Sequence, residues 1–201
     1  NANAGDVSPN TWLKPGQGPT NDQFKNVKIQ GEKQANAVRS QLKSAGTPVG
    51  KGLDSRISYF NFSGMNVDAK YTGSGHNERT CQGFLGTPFG AGSTEDGGGG
   101  WAVYKEGSGR PSILGTLVFT PSAAQTRCQQ PKGILFSAKN GTIIQEKYPV
   151  QIMRFGDYYL LGMPGEFTGA VGVQYRQDAA KLFGVPESHI ILQGYTNAYD
   201  H

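Results

Sequence analysis

Apolar residues recur at helical spacing near the start of the chain and at strand spacing near its end. Phe24, Val27, Gly31, Ala35, Val38 and Leu42 fall three or four residues apart, which predicts a helix over about 21–44. Thr20-Asn21-Asp22-Gln23 in front of it has the form of a capping box, with Thr20 as N-cap and Gln23 at the third helical position. Gly46-Thr47-Pro48 closes the segment. Ile57, Tyr59, Asn61 and Ser63 then alternate with Ser58, Phe60 and Phe62, predicting a strand near 55–64 that is partly buried on both faces. From 73 to 128 glycine, proline and polar residues dominate, interrupted by one apolar run at 113–119. This stretch reads as a long ordered Gly-rich loop region, and loops of such length in a compact domain are usually functional or disordered.

The last third is regular. Strands are predicted over 133–136, 148–155 and 158–161, with Gly156-Asp157 as the hairpin turn between the last two. Met163-Pro164-Gly165-Glu166 opens a helix whose apolar side is Phe167, Ala170, Val171, Ala179, Leu182 and Phe183. Gly184 and Pro186 end it, and Ile190-Ile191-Leu192 begins another strand. Strand, helix and strand in this order make a βαβ unit. The fold class expected is α/β: a mixed sheet with flanking helices and a long Gly-rich ordered loop region.

Composition narrows the function classes. The 201 residues suit one domain or a large part of one, and 30 glycines are about twice the usual share. The net charge of +4 is carried by scattered Lys and Arg, without a basic run or an aromatic-basic stripe, so nucleic acid is not an expected partner. A mildly basic chain equally suits work at an anionic membrane surface, and no apolar stretch nears the roughly 18 residues needed to span a bilayer. The chain has two cysteines, Cys81 and Cys128. Neither lies in a Cys-x-x-Cys pair, and one disulfide closing the Gly-rich region is the economical assignment. With the sequons Asn61-Phe62-Ser63 and Asn140-Gly141-Thr142, it points to an oxidising, secreted or cell-surface setting.

Two places could carry chemistry. In Asn3-Ala4-Gly5-Asp6-Val7-Ser8-Pro9-Asn10, Pro9 holds Ser8 toward extended geometry and Gly5 permits a close backbone approach. The hydroxyl of Ser8 is then presented from a stiff polar turn, as a nucleophile or an ion ligand requires. The same residues also make an ordinary Asp-x-Ser-Pro-Asn turn. Glu166 stands where a strand's carboxyl end meets a helix, the edge at which α/β proteins bind ligands, although a glutamate there also answers the helix dipole. The polar, aromatic segment Gly194-Tyr195-Thr196-Asn197-Ala198-Tyr199-Asp200-His201 leaves another apolar strand. Its rings either line a site or cap a core.

These segments together resemble one family. The octapeptide around Ser8 resembles the nucleophile motif of the neutral, non-lysosomal ceramidases. Pro164-Gly165-Glu166-Phe167-Thr168 resembles that family's zinc-ligand motif, and the segment from Gly194 to His201 resembles its late turn. Ile29-Gln30-Gly31-Glu32-Lys33-Gln34 and Phe89-Gly90-Ala91-Gly92-Ser93 are also similar, and Cys81 and Cys128 fall where such enzymes carry a disulfide.

The resemblance spans the chain and implies a central to late portion of a larger catalytic domain, residues 1–201, incomplete at both ends. It implies a zinc-dependent amidohydrolase that cleaves ceramide to sphingosine and a fatty acid at a membrane surface. Ser8 would be the nucleophile, Glu166 a Zn2+ ligand, and Asn3, Asp6 and Asn10 supports of the serine turn. The remaining part of the same domain would supply two upstream histidines and a tyrosine just past His201. His76, His189 and His201 do not match the ligand histidines. The chain alone, with one of four protein ligands, is expected to be inactive. The helix after Glu166 reads Val171-Gly172-Val173-Gln174-Tyr175-Arg176 where the family tends to carry an arginine pair. The alternative is a non-catalytic secreted lipid-binding or adhesive module of the same fold. An intact natural mass near 21.5 kDa would favour that alternative.

Overall fold

The computed structural model describes residues 4–5, 18–44, 46–86, 121–131, 133–137 and 144–200. The order is helix α1 (Gln23–Leu42), strands β1 (Leu53–Asn61), β2 (Asn66–Val67), β3 (Glu78–Arg79) and β4 (Phe84–Gly86), helix α2 (Ala123–Gln129), strands β5 (Ile134–Ser137), β6 (Lys147–Phe155) and β7 (Tyr158–Gly162), helix α3 (Gly169–Phe183) and strand β8 (Ile190–Gln193). Single 3-10 turns stand at Ala69–Tyr71 and Glu187–His189.

The main sheet has four strands in the order β1-β6-β7-β8. β1 and β6 pair antiparallel along nine residues, from Leu53 opposite Phe155 to Asn61 opposite Lys147. β6 and β7 form the expected hairpin, turning at Gly156 with φ of 57°, a left-handed conformation that glycine adopts at no steric cost. β7 and β8 run parallel with α3 as the crossover, which is the βαβ unit. The sheet is therefore mixed, as the pattern predicts. Two further pairs, β2-β3 and β4-β5, are antiparallel.

The core lies between α3 and the parallel end of the sheet. Leu161, Ala179, Ala180, Ile190 and Leu192 are buried there, with Ile152, Tyr159, Phe183 and Val185 against them. The Tyr159 and Phe183 rings stack at 4.4 Å. Each large aliphatic side chain buried in this layer stabilises the fold by about 1.5–3 kcal/mol. α3 ends at Gly184, whose φ of 67° and bond to the Ala180 carbonyl make a left-handed cap. Cys81 and Cys128 are bonded to each other, so α2 is tethered to the segment leading into β4. No helix among the described residues is long and apolar enough to cross a membrane.

Several local expectations are corrected. The N-cap of α1 is Asp22, whose carboxylate accepts from the Lys25 amide at 3.1 Å. The Thr20 hydroxyl and amide donate to the carboxamide oxygen of the buried Asn26, at 2.7 and 2.8 Å, and the same hydroxyl accepts from the Asp22 amide at 3.2 Å, so Thr20 braces the first turn from outside the N-cap position. β1 begins at Leu53, and its side chains are exposed rather than buried. The apolar residues Phe24, Val27, Val38 and Leu42 of α1 are exposed as well. α3 starts at Gly169, with Thr168 as N-cap, so Glu166 precedes the helix instead of sitting in its first turn. Leu182, assigned to the apolar side of that helix, is 79% exposed. The apolar run at 113–119 and the sequon residue Asn140 lie outside the described residues, whereas Asn61 ends β1 and its side chain accepts from the Ser63 amide.

Candidate active site

The site is built by two loops that leave adjacent parallel strands at the same edge. β7 runs into Met163, Pro164 and Gly165, all buried, and then Glu166, which is half-buried. β8 runs into the turn 194–200. Because β7 and β8 are parallel neighbours, both loops emerge at their carboxyl ends, where ligand sites of α/β sheets form.

Backbone hydrogen bonds join the two loops. The Met163 amide donates to the Gln193 carbonyl at 2.9 Å, Tyr195 to Gly165 at 3.2 Å, Thr196 to Met163 at 2.9 Å and Asp200 to Pro164 at 2.7 Å. The packing is close at the crossing points, where an added side chain would have to displace a neighbouring one. A Cβ on Gly165 would meet Asp200 Oδ1 at 2.1 Å, and one on Gly162 would meet Thr196 Cγ2 at 2.8 Å. Asn197 donates from its carboxamide to Gln151 Oε1 at 2.9 Å and anchors the turn to β6. Tyr195 and Asn197 take φ of 54° and 63°, left-handed values that cost non-glycine residues about 1–3 kcal/mol each and persist where surrounding contacts over-determine them.

Glu166 receives the hydroxyl of Tyr199, which donates to Oε1 at 2.5 Å. The bond to Glu166 is the chief reason the Tyr199 hydroxyl is pushed up to about 12. Partial desolvation first, and then the Glu166 carboxylate, raise Tyr195 as well. The Tyr195 and Tyr199 rings are parallel within 3° at 5.8 Å. Behind Glu166, the Phe167 ring meets Tyr175 of α3 edge-on at 5.2 Å.

Gly5 docks onto the same loop. Its amide donates to the Phe167 carbonyl at 3.0 Å, and a Cβ there would stand 2.5 Å from the Glu166 carbonyl oxygen. The close approach that the sequence suggested for Gly5 is thus made against the residue pair Glu166-Phe167. Ser8, Asn3, Asp6, Asn10 and His201 lie outside the described residues. His76 belongs to the β2-β3 connection, where its carbonyl accepts from Thr72, and His189 stacks on Tyr158 at 4.4 Å.

An apolar groove of about 840 Å³ runs between α3 and the sheet, with Val150, Ile152, Leu161, Met163, Tyr175 and Phe183 in its walls. It reaches Met163, three residues before Glu166.

Among the described residues no three His, Cys, Asp or Glu side chains are grouped to hold a metal ion. What they offer is one half-buried carboxylate, oriented by a tyrosine hydroxyl, at a loop made rigid by its neighbour. An ionised carboxylate has about four acceptor positions, so the Tyr199 hydrogen bond and a cation are compatible on Glu166. That donor chemistry fits one oxygen ligand of a zinc shell. The sequence reading missed the Tyr199 contact. Its signal was two tyrosines four apart in a turn leaving the strand beside the one that delivers Glu166.

The family described as neutral/alkaline non-lysosomal ceramidase, N-terminal, matches residues 1–201. The chain is 34% identical over 209 residues to a neutral ceramidase of Mycobacterium tuberculosis, covering 99% of this chain and 32% of that protein. It is 34% identical over 208 residues to a neutral ceramidase of Pseudomonas aeruginosa, covering 98% and 30%. Two solved structures are similar: the neutral ceramidase from Pseudomonas aeruginosa, with a TM-score of 0.70 and 29% identity, and one described as ceramidase complexed with C2, with a TM-score of 0.76 and 34% identity. They align with 98% of this chain and with 30% and 31% of theirs. The chain therefore spans about a third of the length of the relatives it matches. It belongs to the neutral/alkaline non-lysosomal ceramidase family.

Proposed function

We propose that this chain is the serine- and glutamate-bearing part of a zinc-dependent amidohydrolase that cleaves the N-acyl bond of ceramide to sphingosine and a fatty acid. In this reading Ser8 supplies the nucleophilic hydroxyl and Asn3, Asp6 and Asn10 hold its turn. Glu166 contributes one zinc ligand. When bound, the cation supplies Lewis-acid polarisation of the amide carbonyl, a weak electrophile. The chain's own part is to bring the serine segment to the carboxylate and to keep that carboxylate oriented.

The observation that carries the reading is the bond from the Gly5 amide to the Phe167 carbonyl. Gly5 belongs to the same motif as Ser8, three residues of chain reach at most about 10–11 Å, and this supports a serine near the glutamate loop. The apolar groove that Met163 helps to line offers a surface for one hydrocarbon chain of the lipid. We assign the other zinc ligands to the remainder of the same catalytic domain. The exposed apolar residues of α1 and β1 support such a covering partner. A secreted or cell-surface location with peripheral membrane contact accords with the disulfide. By itself the chain is expected to be inactive.

The test is ceramide hydrolysis by the complete protein with and without a chelator, together with Ser8→Ala. Chelation and the substitution should each abolish turnover, and only chelation should remove metal. Full activity in either case refutes the assignment.

A further inference from the structure

We propose that Tyr199 is a positioning residue, whose hydroxyl fixes the Glu166 carboxylate in the orientation that a divalent cation requires. This rests on the reading of Glu166 as a metal ligand and adds to it the residue that sets the ligand's geometry. The Tyr199 hydroxyl donates to Glu166 Oε1 at 2.5 Å, across 33 residues of sequence. Its ring lies parallel to that of Tyr195 at 5.8 Å, which limits rotation of the phenol. The turn bearing both rings is bonded to the loop bearing Glu166 through Tyr195 to Gly165, Thr196 to Met163 and Asp200 to Pro164. A carboxylate on a single flexible side chain loses rotational freedom when it binds a cation. Here the hydroxyl removes that freedom beforehand, and hydrogen-bonded partners of ligating carboxylates act in this way.

The experiment compares wild-type, Tyr199→Phe and Glu166→Gln in the complete protein. Zinc affinity is measured by competition with a chromogenic chelator, and thermal unfolding is followed on the metal-free protein. Tyr199→Phe should weaken zinc binding about 10–100-fold and leave the metal-free melting temperature at the wild-type value. It should also lower kcat with KM unchanged. Wild-type zinc affinity in Tyr199→Phe, with Glu166→Gln impaired, overturns this inference alone. A drop in the metal-free melting temperature that accounts for the loss also overturns it, because Tyr199 would then be only a structural contact. Wild-type zinc affinity in Glu166→Gln overturns the metal-ligand reading on which the inference rests.

Discussion

The Gly5 amide donates to the Phe167 carbonyl at 3.0 Å, joining the amino-terminal segment to the loop that carries Glu166. Glycine is needed there because any Cβ would lie 2.5 Å from the Glu166 carbonyl oxygen, a backbone atom that cannot swing aside. Gly5→Ala should therefore displace one segment against the other. A shift of about 1 Å in a reacting group costs on the order of 10²-fold in rate. Turnover should fall by that order while metal content is retained; unchanged kcat in Gly5→Ala would show that this contact does not set catalytic geometry.

Ser8→Ala in the complete protein should eliminate ceramide hydrolysis without lowering bound zinc or the melting temperature. The hydroxyl is assigned to attack and not to metal binding, so activity and metal content should separate. Loss of zinc in this variant would instead make Ser8 a ligand.

The disulfide has a calculable effect. Bonding Cys81 to Cys128 closes a loop of 47 residues, worth about 4 kcal/mol in the chain-entropy account. Replacing both cysteines with serine should lower stability by that order in denaturant titration. An unchanged unfolding midpoint would contradict it.

Alkaline stability should depend on Tyr148. Its ring is buried, and its hydroxyl donates to the Gln145 carbonyl. Burial is the first cause that raises it above the ordinary 10, and the Asp200 and Glu146 carboxylates add to the effect. With the folded value raised, stability from the neutral phenol is fully present below pH 10 and lost as pH climbs from there through the folded value. The denaturant midpoint should decline in that window. Tyr148→Phe should remove its share of the decline, at a cost of about 0.5–1.5 kcal/mol near neutrality for the lost hydrogen bond, and leave the share of Tyr175 and Tyr199, which are raised as well.

Local signals carried much of the fold. Gly156-Asp157 between two apolar runs specified the hairpin, and strand-helix-strand spacing from Tyr158 to Ile190 specified the parallel crossover with Glu166 at its mouth. Where two local rules competed, the pattern misled. Thr20 and Asp22 are both good caps; Asp22 takes the N-cap, and Thr20 bonds to Asn26 and to the Asp22 backbone beside it. Phe167 looked helical because it is apolar, yet its ring packs on Tyr175 from outside the helix. The exposure of β1 and α1 was not legible, since periodicity shows which face is apolar and not what covers it. In the site, the strand-to-helix junction drew attention to Glu166, and its role as a ligand came only from the resemblance of Pro164-Gly165-Glu166-Phe167-Thr168. The Tyr199 contact was not found, because its bond to Glu166 arises only when two parallel strands bring their following loops together.

The most direct measurement is a crystal structure of the complete protein with zinc located by its anomalous scattering. A Glu166 carboxylate oxygen should lie about 2.0–2.2 Å from the metal, with the Ser8 hydroxyl facing the same cavity within reach of a shared amide carbon. Zinc bound away from Glu166, or Ser8 turned to the opposite side of the loop, would contradict the account.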